Sequence, residues 1–192
     1  MSADLGDDFQ LRQDITYVFT NKFAASVDLK YYVASRDKDG VESSGFSNLG
    51  LLGTYRAGSG SSGATDVLFG VGYVGQTIVP GYSDRVYSAG ARTGQQWNGM
   101  TLALTAMTNW IFDYDHGLAY IDLTPEAYFR VRGGWGLSVG GTLRRATDTK
   151  FDQVWISTKV GTIIGKTGWF VQSGYELESG SFRVGGNLNM LF

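Results

Sequence analysis

Cysteine is absent from the 192 residues, so neither a disulfide framework nor a thiolate metal site can be built. Proline occurs twice and histidine once. Charged residues make up 18%, below the roughly 25% usual for soluble domains. No run of eighteen or more apolar residues occurs, which excludes a transmembrane helix. The segment Met1 to Gly6 lacks the basic start and apolar core of a signal peptide; if the protein is exported, this is expected to be a mature form with a start Met added. A net charge of -2 gives no reason to expect nucleic acid as a partner. The Gly-rich stretch Ala57 to Thr65 has no Lys-Ser/Thr and no helix after it, so it reads as a flexible linker and not as a phosphate loop.

Against these absences stand 28 glycines and 14% aromatics, a composition suited to long strands joined by tight turns. Hydrophobicity alternates with period two along nearly the whole chain. Residues 1–8 are acidic and unpatterned, a flexible terminus. Alternating segments follow at about 9–20, 23–35, 47–57, 66–79, 85–97, 100–113, 118–131, 135–144, 151–164, 169–178 and 182–192. Asn98-Gly99 is a strong type I′ hairpin signal, and Pro125 weakens the seventh segment locally because it cannot donate to a ladder. Segments of this length exceed the globular mode of about 5–6 residues and match the roughly 9–11 residues of a tilted membrane-spanning strand.

One face of each segment is apolar, with aromatics such as Tyr17, Phe19, Phe23, Tyr31, Trp110, Phe112, Trp135, Trp169 and Phe182 gathered near strand ends, as in the girdles of a spanning barrel. The other face carries ionisable groups on almost every segment and must be wet. The expected fold is all-β: a single domain, residues 1–192, forming a transmembrane antiparallel up-and-down β-barrel.

The final stretch, Phe182 to Phe192, places Phe182, Val184, Gly186, Leu188, Met190 and Phe192 on one face and ends on an aromatic. It resembles the C-terminal insertion signal of Gram-negative outer-membrane β-barrels. That resemblance implies a bacterial outer-membrane location, lipopolysaccharide and phospholipid as surroundings, and recognition of Phe182–Phe192 by the barrel-assembly machinery.

Eleven segments are counted, whereas bacterial barrels have an even number of strands. Twelve strands are therefore expected, with ten as the alternative, and residues 46–57 are the segment most easily demoted. Assigning sides backward from Phe192 makes the Asn21-Lys22, Trp97-Asn98-Gly99, Arg132-Gly133-Gly134 and Gly165–Gly168 turns periplasmic. Two cross-strand ion pairs are expected: Asp14 opposite Lys30, and Glu176 opposite Arg183.

The wet face supplies the candidate site. Arg12, Asp14, Lys30, Arg56, Arg92, Asp122, Glu126, Arg130, Arg144, Lys159, Glu176 and Arg183 are expected to line a pore. The same residues could instead form salt bridges that fill and rigidify the lumen. Many inward glycines and serines, among them Ser26, Gly70, Gly90, Gly136 and Gly174, favour open space. The chain resembles the small monosaccharide and oligosaccharide porins of Gram-negative bacteria, the oligogalacturonate-specific type included, in size and in an arginine-bearing lumen. Arg12, Arg56, Arg92, Arg130, Arg144 and Arg183 would match such a lining, although the interspersed acids depart from an anionic-sugar preference. His116, beside Asp113 and Asp115, resembles the rim sites of outer-membrane proteases and lipid-modifying enzymes, but has no second histidine or cysteine to work with. No catalytic residue, metal ligand or cofactor is expected. The expected function is a channel for passive diffusion of small polar or charged solutes. A rim enzyme near His116 and a closed barrel that binds a surface partner are the alternatives.

Overall fold

The structure, a computed structural model, describes residues 8–36, 42–74, 84–112, 117–146 and 152–192. It is a closed barrel of eleven strands. In order they are β1 (Asp8–Val18), β2 (Phe23–Arg36), β3 (Glu42–Ser59), β4 (Gly63–Val74), β5 (Asp84–Trp97), β6 (Met100–Phe112), β7 (Gly117–Arg130), β8 (Trp135–Ala146), β9 (Asp152–Ile164), β10 (Thr167–Glu176) and β11 (Phe182–Leu191). Each strand pairs antiparallel with its neighbour in sequence, except at the closing seam.

The seam corrects the strand count. β1 and β11 pair in parallel from Asp8↔Arg183 to Thr16↔Leu191. The Phe192 N–H donates to the Thr16 carbonyl at 2.9 Å, and its own carbonyl accepts from the Val18 N–H at 2.9 Å, the evenly spaced pattern of a parallel ladder. An odd number of up-and-down strands leaves the first and last running the same way, so a parallel seam closes eleven strands without a twelfth. Residues 46–57 accordingly belong to a full strand, β3, the longest in the barrel at 18 residues. The linker expected from Ala57 to Thr65 is mostly strand as well: Gly58 pairs with Thr65 and Ser59 with Ala64 after a bulge, leaving Gly60, Ser61 and Ser62 to turn.

Two registers also differ from expectation. The β1–β2 turn takes Phe19 to Lys22, so Val18 pairs with Ala24 and the ladder shifts by two residues. Thr20 holds this turn by accepting the Lys22 and Phe23 N–H groups at 3.2 and 3.0 Å through Oγ1. Asp14 then faces Asp28, and Arg12 faces Lys30. On the other side of the seam, Gly174 and not Glu176 stands opposite Arg183. Asn98 and Gly99 turn β5 into β6 with positive φ of 42° and 83°, the backbone of the expected hairpin. Pro125 interrupts the β7–β8 ladder between Leu123↔Leu143 and Glu126↔Gly140 while β7 stays in register with β6.

The short turns lie at one end of the barrel with Phe192, here called the turn end. Asp8 and the Leu177–Ser181 turn lie at the other, the loop end. Most apolar side chains point outward and remain exposed, while Leu68, Val86, Ile111 and Tyr120 are buried. Leu49, Leu51, Val71, Leu102, Leu104, Ile121, Val139, Leu143, Ile156 and Val160 occupy the middle of the wall. Tyr17, Phe19, Tyr55, Trp97, Phe129, Trp135, Trp169 and Phe192 ring the turn end, while Phe9, Tyr31, Tyr73, Tyr87, Trp110, Phe112, Tyr175 and Phe182 ring the loop end. Phe69 departs from this layout, and its ring lies over the outward Gly53 and stacks on Phe23 at 6.2 Å between centroids.

The seam register is testable because the chain has no native thiol. Gln13 and Leu188 pair directly on the outer face, and neighbouring strands lie about 4.8 Å apart, within disulfide reach. The Gln13→Cys/Leu188→Cys variant should crosslink on oxidation and migrate faster when denatured, whereas Gln13→Cys/Met190→Cys should not; the reverse outcome would place the seam two residues away. Packing makes a second prediction. A Cβ at Gly161 would collide with the Trp169 carbonyl and the Phe170 ring. Gly161→Val should lower stability by about 1–3 kcal/mol in urea unfolding of the refolded barrel.

Candidate functional site: the lumen

Eleven strands spaced about 4.8 Å apart and tilted about 40° enclose a backbone cylinder roughly 11 Å in radius. That leaves more interior than side chains readily fill, in contrast to barrels of about eight strands. The inward positions alternate with the mostly apolar outer ones, so the inward residues of every strand converge on one space. That space is a cavity of ≈ 940 Å³ bordered by residues from all eleven strands. It extends from Gly165, Lys166 and Leu191 at the turn end to Val86, Tyr120 and Gln153 toward the loop end.

The lining is lopsided. Gly50, Gly70, Gly72 and Ser88 present a low surface on β3, β4 and β5. Tyr120, Tyr128, Arg144, Trp155 and Lys159 project from β7, β8 and β9 opposite. Inward glycines do not all leave empty space: the Tyr128 ring lies over Gly136, the Phe170 ring over Gly161, and Met107 against Gly90. The volume that stays open is set by which glycines lack such a cover.

Of the twelve residues expected to line a pore, Arg12, Asp14, Lys30, Arg92, Asp122, Glu126, Arg144, Lys159 and Arg183 border this cavity. Arg56, Arg130 and Glu176 do not. Arg56 sits near the turn end, where its Nε donates to Asp66 at 2.6 Å; Asp66 also accepts from Arg92 Nη2 at 2.9 Å. Arg130, the last residue of β7, is exposed at the same end. Glu176 is buried at the loop end, where its carboxylate accepts the Val154 N–H at 3.2 Å and the Ser179 N–H at 2.6 Å. It therefore holds the β10–β11 turn and does not bridge to Arg183. Arg183 instead lies over the Trp155 ring, 4.2 Å from its centroid. His116 and its flanking aspartates fall outside the described residues.

Four ionic groups organise the interior. On β1 and β2 the register shift puts like charges opposite each other, and the diagonal contacts resolve the conflict. Arg12 bridges to Asp28 at 2.9 Å and to Asp14 at 3.2 Å, and the Asn187 amide on β11 donates to Asp14 at 3.1 Å across the seam. On β7 and β8 Arg144 makes a two-pronged contact with Asp122, both bonds 2.7 Å, and stacks on Tyr120 at 4.3 Å. Glu126 accepts from Ser138 and from Lys159, the latter at 3.3 Å. The fourth group is Arg56–Asp66–Arg92. Sequence reasoning missed Asp66 and Asn187 as lumen partners; inward parity on β4 and β11 was the signal available for both. Among the described residues no cluster of three or more His, Asp or Glu side chains could hold a metal ion.

Chemically the lumen offers fixed charges of both signs, hydroxyls and amides around open space. Among the described residues, seven cationic side chains border it (Arg12, Lys30, Arg92, Arg144, Lys159, Lys166 and Arg183) against four acids (Asp14, Asp28, Asp122 and Glu126). The lining is thus net positive in a chain whose net charge is -2.

Asp66 is 4% exposed between two arginines. Asp66→Asn should destabilise the refolded barrel by about 1–3 kcal/mol, because two guanidinium groups lose the carboxylate between them. Arg56→Gln, with nearly half its side chain in solvent, should cost less than about 1 kcal/mol. Urea unfolding of the two variants side by side checks the order; equal losses would show that Asp66 is not the hub.

No protein-family model matches the chain, and no curated protein matches it. Among solved structures the barrel is similar to OmpT, an outer membrane protein of Vibrio cholerae in an in-vitro folded, trimer form. The match covers 89% of this chain and 90% of that one at 7% sequence identity, with a TM-score of 0.44. A likeness at that level carries no argument about family, activity or assembly.

Proposed function

We propose that this chain is an outer-membrane channel through which small polar or charged solutes diffuse passively. The observation that carries the reading is the ≈ 940 Å³ cavity running along the lumen, bordered by residues from every strand and by polar side chains from all but β3 and β4. A barrel built for rigidity alone would close that volume with side chains. The outer wall supports a lipid setting: an apolar middle between two aromatic rings is the surface a barrel presents to a bilayer, and lipopolysaccharide and phospholipid would be its surroundings. Solutes would move without covalent chemistry, steered by the fixed charges on the wall.

Planar-bilayer recording of the purified, refolded barrel tests the reading. Discrete conductance steps are expected, and their absence in properly folded protein would overturn it. Arg144→Gln, on the cavity wall, should shift ion selectivity toward cations. Arg130→Gln, outside the wall, should leave selectivity unchanged.

A further inference from the structure

We propose that Lys30, together with the guanidinium groups of Arg12, Arg144 and Arg183, forms a binding site in the lumen for a small oxyanion of the phosphate or carboxylate class.

The register places Lys30 directly opposite Arg12 on β1, with Asn48 as its neighbour on β3. Charges of the same sign therefore meet where an ion pair would ordinarily form. Arg183, on β11 beside β1, and Arg144, from the far wall, add to the repulsion that the Lys30 ammonium meets. Four cationic groups from β1, β2, β8 and β11 thus share one part of the cavity, and all four border it.

The three arginines are held in place by partners. Arg12 is anchored on Asp28 and Asp14, Arg144 on Asp122 and the Tyr120 ring, and Arg183 on the Trp155 ring. Their geometry is fixed before any ligand arrives, which removes much of the ordering cost of binding. Lys30 differs from them. Among the described residues it forms no ion pair within 4.0 Å and no hydrogen bond, and the nearest acid that attracts it, Asp28, already bonds Arg12. An ammonium carries three donors and no acceptor. Half-buried beside three like charges, it lacks the anion that the surrounding charge calls for. A small oxyanion can accept from the ammonium and lie in the field of the three guanidinium groups at once. The surplus of cations over acids along the cavity draws such ions inward.

Access to this site rests on the channel reading; affinity for the anion does not. The test therefore has two readouts on the refolded barrel, with inorganic phosphate as the probe. In planar bilayers with chloride as the carrier, phosphate should reduce conductance in a saturable way. In detergent solution, calorimetry should detect phosphate binding at one site per chain. Lys30→Gln should weaken both effects by roughly tenfold, the loss expected for one charge-assisted hydrogen bond. Lys30→Arg should restore them in part, and Lys22→Gln, in the exposed β1–β2 turn, should change neither. Removing one charge from a crowd of like charges should not impair folding, and heat-modifiable gel mobility of Lys30→Gln checks this. Conductance that phosphate leaves untouched, or binding that Lys30→Gln and Lys30→Arg leave unchanged, would overturn the site. Phosphate binding at Lys30 in a barrel without conductance would uphold the site and overturn the channel.

Discussion

Everything in this barrel depends on closing the sheet so that no strand edge is left unpaired. A backbone N–H or C=O without a partner costs several kcal/mol in an apolar setting, and the outer wall here is apolar along its middle. The first and last strands must therefore pair, whatever direction they run. With eleven strands they run the same way, and β1 and β11 meet in a parallel ladder that extends through Phe192. Parallel bonds are slanted and slightly weaker per residue than antiparallel ones. The seam gains a side-chain tie as well, where the Asn187 amide reaches Asp14 from the other strand.

Closure also decides what the interior must accommodate. Eleven strands enclose too much space to be filled by a single layer of small side chains, so the lumen is organised by ionic groups instead. These groups tie strands together: Arg12 ties β1 to β2, Arg144–Asp122 ties β8 to β7, Glu126–Lys159 reaches from β7 past β8 to β9, and Arg56–Asp66–Arg92 ties β3, β4 and β5 together. These contacts hold long side chains against the wall. The volume that remains open is what side chains so held cannot reach. Rigid charged walls and an open centre are therefore two results of the same packing, and the structural and conducting readings of the inner charges are compatible. Lys30 stands apart because the register gives it cationic neighbours and leaves the nearby carboxylates to Arg12.

Much of this was legible from residue order. Period-two alternation located all eleven strands, most of them within three residues of their ends, because a wall with one wet and one apolar face leaves that trace directly in sequence. Asn98-Gly99 announced its hairpin through backbone preference alone. Nine of the twelve inner charges assigned from parity border the cavity. The misreadings share a cause. Turn length at Phe19–Lys22 could not be read from composition, and two residues of slip exchanged an Asp14–Lys30 pair for Asp14 facing Asp28. Glu176 has the right parity to face Arg183, but its height along the strand puts it at the turn, where backbone N–H groups claim it. The Gly/Ser tract reads as a linker by composition, yet its ends find partners in the neighbouring strand.

By itself, the sequence determined the class of fold, the inward or outward parity along the strands and the absence of thiol chemistry, because these follow from local periodicity and from which residue types are present. Strand pairing in parallel at the seam, the register that sets Arg12 beside Lys30, and the glycines that are covered or left open were decided only in the tertiary structure. Each depends on residues far apart in the chain meeting across strands, and a one-dimensional pattern carries parity but not height.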